Sequence, residues 1–322
     1  MPGRGVLERG DHRGGQASPR GGRTLILAIL GPTASGKSEV ALRLAEEIGA
    51  EVLSVDSMQV YREMDIGTAK ATPAQQARVQ HHMVDLVDPE VEFSVAEFQK
   101  VARGVLERAE RIVMVGGSGL HFRAVVDPMT FPPSDAALRT ELEALGESAA
   151  VTALLQADSA AGTQVDLNNP RRVIRALEIH RLTGETPTER ARTREAEAVR
   201  SYQAAFEFSA VGLDPGRSLA GRVTRRLAGM LDAGLLDEVE SLAPRLGRTA
   251  RQAVGYKELL PVVRGEETIE EGMAAATKAT LRLAKHQRTY FRRDPRIVWV
   301  PWDQDRHVRY ARVRSVLEEV IG

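Results

Sequence analysis

Residues 31–38 read Gly-Pro-Thr-Ala-Ser-Gly-Lys-Ser and directly follow the apolar run Leu25-Ile26-Leu27-Ala28-Ile29-Leu30. This is G-x-x-x-x-G-K-[ST] with the flanks it requires, a buried strand before it and a helix after it. Gly31 and Gly36 allow backbone angles and close approaches that a side chain blocks. The freed N–H groups then turn inward around an anion. The next segment, Glu39–Ile48, has apolar residues at helical spacing, and its N-terminus adds the positive end of a helix dipole. Lys37 supplies a point charge for a phosphate and Ser38 a hydroxyl for Mg²⁺. The segment Gly31, Thr33, Ala34, Ser35, Gly36, Lys37 and Ser38 is therefore read as a site for a di- or triphosphate. Whether that phosphate is transferred, hydrolysed or simply leaves is not written in the loop.

A second apolar run, Glu51-Val52-Leu53-Ser54-Val55, ends on Asp56. Ser94–Arg111 reads as an amphipathic helix, because Val95, Phe98, Val101, Ala102, Val105 and Leu106 share a face. Ile112-Val113-Met114-Val115 reads as a buried strand stopped by Gly116-Gly117-Ser118-Gly119. Strands alternating with helices predict an α/β fold, a P-loop NTPase-like parallel sheet flanked by helices. Such sheets bind ligands beyond the carboxyl ends of their strands. The Gly31 loop, Asp56 and the Gly116–Gly119 turn all fall at such ends and are expected to converge. From about Thr130 to Arg200 the alternation is lost, and turns at Asn168-Asn169-Pro170 and Thr183-Gly184 separate helical stretches. Phe206–Leu213 reads as a returning strand, with helices over about 217–246, 251–263 and 267–291. A short strand, Ile297–Val300, and a last helix follow. The expected organisation is a core at 24–129 and 201–322, a helical insertion domain at 130–200, and a disordered extension at 1–23.

Residues 1–23 are rich in Gly and Arg and lack the apolar centre of a signal peptide. They read as disorder or as a start site placed too early. No apolar stretch approaches a membrane span. The chain has no cysteine, which excludes disulfides, thiolate metal sites and cysteine nucleophiles and suits a cytoplasmic setting. Lys+Arg and Asp+Glu both number 44 among 322 residues, so a nucleic-acid site has to be a local basic patch.

Three such patches stand out. Arg171, Arg172 and Arg175 begin a helix after Pro170; Arg222, Arg225 and Arg226 lie on another. The stretch 278–296 holds Lys278, Arg282, Lys285, Arg288, Arg292, Arg293 and Arg296 against one acid, Asp294. Lys278, Arg282, Lys285 and Arg292 can line one helical face that binds a nucleic-acid backbone or is merely solvated. Asp56, at a strand end, can take a proton from a nucleophile or hold Mg²⁺; a turn aspartate is the bland alternative. The Gly116–Gly119 turn could offer N–H groups and the Ser118 hydroxyl to a phosphate, or be a plain turn. His81 and His82 point to opposite faces of a strand and do not share an ion.

These residues carry a resemblance to the tRNA dimethylallyltransferases. The matching segments are GPTASGKS at 31–38, SVDSMQVYREMDIGTAK at 54–70, HHMVDLVDP at 81–89 and VGGSGL at 115–120. NNPRRVIRALEI at 168–179, QAVGYKEL at 252–259 and TKATLRLAKHQRTYFRR at 277–293 extend the match over nearly all the chain after residue 23. The resemblance implies transfer of a dimethylallyl group from its diphosphate to N6 of an adenosine, at tRNA position 37 beside the anticodon. It implies Mg²⁺, an extruded target base, a cytoplasmic enzyme acting as a monomer, and no membrane. Asp56 matches the family's general base, Ser118 a substrate contact, and Arg226 an arginine near the diphosphate. Asp56, Ser57, Met58 and Gln59 match tRNA-contacting positions, as do Ser118, Arg139, Arg171, Arg172, Arg175, Arg251, Gln252, Gly255 and Tyr256. Ser38 and Ser118 stand where the family usually has Thr. His121 follows where Tyr is common, and His286 and Tyr290 replace the commoner Arg and Trp.

Two other classes compete. A small-molecule P-loop kinase would use the same loop with ATP and let Asp56 activate a hydroxyl. Its size leaves the long basic C-terminal helices without a task. An RNA-binding NTPase switch needs a γ-phosphate sensor and, beyond Asp56, a further strand ending in an acid of the Walker B kind, and Ile112–Val115 ends in glycines instead. The aspartate-rich DDxxD segments of prenyl-chain synthases are absent from the sequence.

Overall fold

A computed structural model describes residues 24–321; the extension expected at 1–23 lies outside the described residues. β1 (Leu25–Leu30) runs into the Gly31 loop, and α1 (Lys37–Ile48) leaves it. β2 (Glu51–Ser54), α2 (Pro73–Arg78), β3 (His81–His82), α3 (Val95–Leu106), β4 (Arg111–Gly116) and α4 (Gly119–Val126) follow. Capping boxes start two of these helices, Thr72 with Gln75 on α2 and Ser94 with Glu97 on α3, each satisfying two otherwise orphaned N–H groups. α3 ends at Leu106, short of the expected Arg111, because Arg111 is already the first residue of β4.

The stretch expected to be helical holds α5 (Ala136–Glu143), α6 (Glu147–Ala157), α7 (Pro170–Thr183), α8 (Pro187–Ala191) and α9 (Arg194–Arg200). Asn169 caps α7 through the Arg172 N–H, Pro170 takes the first helical position, and Gly184 ends the helix in the left-handed region. Leu142, Leu154, Val173, Ile174 and Leu177 form an apolar cluster of their own here. β5 (Ser209–Leu213) then returns to the sheet, beginning three residues after the expected Phe206.

The helix expected over 217–246 is two, α10 (Leu219–Asp232) and α11 (Leu235–Leu242). Gly234, at φ 97°, stands between them and cannot continue a right-handed helix. α12 (Tyr256–Val263), α13 (Ile269–Phe291), β6 (Ile297–Val300) and α14 (Arg306–Ile321) complete the described chain.

All six strands are parallel, in the order β3-β2-β4-β1-β5-β6. β1 lies inside the sheet, with Leu27 beside Val113 of β4 and Ser209 of β5. Its alternate residues serve two cores. Ile26, Ala28 and Leu30 pack with Phe98, Phe122, Val239 and Tyr256, under α3, α4, α11 and α12. Leu27 and Ile29 pack with Val40, Leu44, Val313 and Leu317, under α1 and α14. Both faces are covered, which explains the unbroken apolar runs. The architecture is the expected α/β one. Among the described residues, no helix is long and apolar enough to cross a membrane.

Candidate active site

The loops after β1, β2 and β4 open on one cavity of about 630 Å³. Thr33, Ala34, Gly36, Lys37 and Ser38 line it from the first loop, Asp56, Met58 and Gln59 from the second, and Gly116 from the end of β4. Arg222, Arg225 and Arg226 of α10 and Gln287 of α13 close the wall. The three sequence-predicted regions therefore converge. Gly31 and Ser35 are buried behind the loop and do not form the lining. Gly31 has φ 148°, and a Cβ there would lie 2.1 Å from the Leu213 carbonyl oxygen. Only glycine lets the loop cross the end of β5.

Charge is concentrated in this space. Lys37 titrates at about 8, lowered from 10.5 first by burial and then by Arg226, while Asp56 pulls the other way. Burial is also the main cause that lowers the Arg226 pKa, with Asp56 again opposing. Two cations and one carboxylate thus act on one another around a common volume.

The loop is braced from distant parts of the chain. Arg226 Nη1 donates to Thr33 Oγ1 at 3.0 Å, and Arg222 Nε to the Ala34 carbonyl at 2.6 Å. The Thr33 N–H donates to Gln287 Oε1 at 2.8 Å, and Trp302 Nε1 to the Ser35 carbonyl at 2.9 Å. The Trp302 ring lies 5.0 Å from the Arg222 guanidinium and 5.3 Å from that of Arg309. Arg309 is buried against Gly36, where a Cβ would come within 3.2 Å of it. Sequence reasoning missed Gln287, Trp302 and Arg309. Trp302 carried a signal, since it follows β6 at the same end of the sheet. Gln287 lies inside a long helix and carried none.

Asp56 Oδ1 accepts the Met58 N–H at 2.9 Å, which closes a turn and fixes the carboxylate. Ser118 donates its N–H to the Val55 carbonyl at 3.2 Å and so stands beside Asp56, outside the lining itself. Ser57 is half-buried next to Asp56. The Gln59 amide is occupied at both ends, accepting from Ser54 Oγ and donating to the Thr68 carbonyl. The glycines around Ser118 make room for α13. A Cβ on Gly117 would lie 2.4 Å from Gln287 Nε2, and one on Gly119 2.1 Å from the Tyr290 ring.

The sequence-predicted RNA contacts are distributed unevenly. Gly255 lines the cavity, and Arg251 and Gln252 are exposed. Tyr256 is a correction: it is fully buried and donates its hydroxyl to Glu238 at 2.5 Å. Glu238 also accepts the N–H groups of Asp65, Ile66 and Gly67, so Tyr256 supports that loop from beneath. Arg171 and Arg172 are exposed on α7. Arg175 and Arg139 are held by the buried Glu178, at 2.6 and 3.0 Å. The C-terminal basic run divides. Lys278, Arg282 and Lys285 are exposed on α13, whereas Arg288 and Arg292 pair with Asp214 and Arg296 with Asp127 and Asp294. Arg292 stays exposed while it pairs with Asp214 at 3.2 Å. His81 faces the cavity and His82 pairs with Glu51, on opposite sides as expected.

Residues 59–294 match the IPP transferase family, and residues 24–92 the isopentenyl transferase family. The chain is 42% identical over 298 residues to a tRNA dimethylallyltransferase of Pseudarthrobacter chlorophenolicus, covering 89% of this chain and 97% of the relative. It is 40% identical over 287 residues to that of Streptomyces coelicolor, covering 85% and 89%. The crystal structure of the full-length tRNA isopentenylpyrophosphate transferase from Bacillus halodurans matches with a TM-score of 0.68 at 34% identity, over 93% of this chain and 97% of that one. The parallel sheet, the phosphate loop and these likenesses agree: the chain belongs to the IPP transferase family, that of the tRNA dimethylallyltransferases.

Proposed function

We propose that this protein transfers the dimethylallyl group of dimethylallyl diphosphate to N6 of the adenosine at tRNA position 37 and releases diphosphate. One observation carries the reading. A single cavity joins a phosphate loop with Lys37 and Arg226 to a carboxylate, Asp56, with Ser118 beside it. The C–O bond of the donor breaks, and its electron pair leaves on the diphosphate, where the loop N–H groups, Lys37 and Arg226 stabilise the charge. The N6 lone pair attacks the allylic carbon. That lone pair is delocalised into the adenine ring, so the amine needs a positioned base, and Asp56 takes its proton. The adenine reaches the cavity by leaving its stack.

The side chains present fit Mg²⁺ bound together with a diphosphate. Ser38 offers an exposed hydroxyl to the cavity, and the described residues contain no cluster of three His, Cys, Asp or Glu that would cage an ion. Mg²⁺ commonly relies on phosphate oxygens and water with few protein ligands. When bound it neutralises charge on the leaving diphosphate. In this reading 24–129 and 201–322 form the catalytic core. The insertion at 130–200 meets the anticodon arm through Arg171 and Arg172, with Arg139 and Arg175 steadied by Glu178. Arg251 and the exposed Lys278, Arg282 and Lys285 extend the basic surface.

The test offers labelled dimethylallyl diphosphate or labelled ATP with undermodified tRNA. Label from the prenyl donor in the tRNA, with no ATP turnover, is the expected result. ATP turnover independent of a prenyl donor would overturn the reading in favour of a kinase.

A further inference from the structure

Ser118 occupies the N-cap position of α4, yet its side chain makes no capping hydrogen bond. Its Oγ lies 2.7 Å from Nδ1 of His121, one turn along the helix. The backbone of Ser118 is fixed, because its N–H donates to Val55 and its carbonyl accepts the Phe122 N–H at 3.0 Å. What remains free is the side-chain torsion. Serine has no β-branch, so local sterics select none of its three staggered wells strongly. A capping serine is held by the N–H groups of its own helix; that restraint is unused here.

The imidazole is well placed to supply another. It packs edge-on against the buried Phe98 ring, with centroids 4.6 Å apart and planes at 80°. Burial lowers its pKa to about 4, against the pull of Asp56. The ring is therefore neutral near pH 7 and meets the hydroxyl as a hydrogen-bonding partner without adding charge beside the reacting amine. We propose that His121 is a positioning residue: its Nδ1 holds the Ser118 hydroxyl in one rotamer beside Asp56, the restraint that a β-methyl supplies in threonine. The inference rests on the reading of Ser118 as a substrate contact.

The experiment measures single-turnover prenyl transfer and tRNA Kd, with thermal melts, for a set of variants of the full chain. His121→Phe keeps an aromatic ring against Phe98 and removes the nitrogen. Its rate should fall about three- to tenfold, from the freed rotamer wells and the lost hydrogen bond, with tRNA Kd nearly unchanged. His121→Asn, whose amide can stand where Nδ1 stands, should keep most of the rate. Combined with Ser118→Thr, His121→Phe should cost less than about twofold, because the β-branch takes over the restraint. Combined with Ser118→Ala it should cost nothing further, since no hydroxyl remains to position. His121→Met replaces His121→Phe if the latter does not fold. A wild-type rate in His121→Phe overturns the proposal, as does equal loss in His121→Asn or failure of Ser118→Thr to compensate. A wild-type rate in Ser118→Ala would instead remove the underlying reading of Ser118.

Discussion

Lys37 titrates at about 8 because burial and Arg226 both disfavour its charge. A diphosphate favours the charged form, so above pH 8 donor binding must be accompanied by proton uptake. Donor affinity should therefore be level below that pH and fall as pH rises through it. Calorimetry in buffers of different ionisation enthalpy reads the proton directly. Lys37→Met should weaken donor binding by about 1.5–3 kcal/mol, the worth of a charged hydrogen bond, and abolish the pH dependence. Donor affinity constant from pH 7 to 10 in the wild type would place Lys37 away from the diphosphate. Asp56→Asn keeps an oxygen for the Met58 N–H but cannot hold the amine proton. It should slow the chemical step about 10²–10⁴-fold with tRNA Kd little changed, and an unaltered single-turnover rate would remove Asp56 as the base. Lys37 and Asp56 were legible in the sequence because their meaning is local: a loop pattern, and an acid at a strand end. Tyr256 was not. Its burial is decided by Glu238 and the 65–67 loop, far away along the chain.

Elements were legible where one period dominated. The apolar spacing of α3 and α13 and the runs of β1 and β4 are visible in the sequence because each buries a continuous face. α2 buries no residue, so periodicity is blind to it, and only its capping box marks it. The packing of α13 on the Gly116–Gly119 turn was equally hidden, since glycines announce freedom and do not say what comes close. That close approach can be probed directly. Gly119→Ala places a methyl within the Tyr290 ring, so the ring or α13 must shift, and a shift of α13 carries Gln287 away from the Thr33 N–H. Overpacking of this kind costs about 1–3 kcal/mol, seen as a lowered denaturant midpoint, and donor binding should weaken with it. Gly119→Ala combined with Tyr290→Ala should recover both. An unchanged midpoint in Gly119→Ala would show that the helix yields without strain.

At the scale of the whole molecule, acids and bases cancel in number, yet α7 exposes Arg171 and Arg172 and α13 exposes Lys278, Arg282 and Lys285. The field an RNA meets is therefore local, and binding should weaken steeply with salt as counterions are released. Replacing Arg171 and Arg172 by Ala should lower tRNA affinity and flatten the logarithmic salt slope by about one unit for each phosphate no longer neutralised. Donor binding without RNA should stay constant. An unchanged slope would mark α7 as a solvated face. Parallel pairing followed from the alternation of strands and helices, but strand order did not: it depends on which crossovers pack, and places β1 between β4 and β5. Nor did the sequence disclose that Trp302 and Arg309 brace Ser35 and Gly36. At ribosomal speeds of about 5–20 residues per second, roughly ten to fifty seconds separate the emergence of the loop from that of its brace. The loop is thus made long before it is finished. A nascent or prematurely terminated chain displays the phosphate motif without the groups that hold its shape, so donor binding should begin only once residues 302–309 have been made.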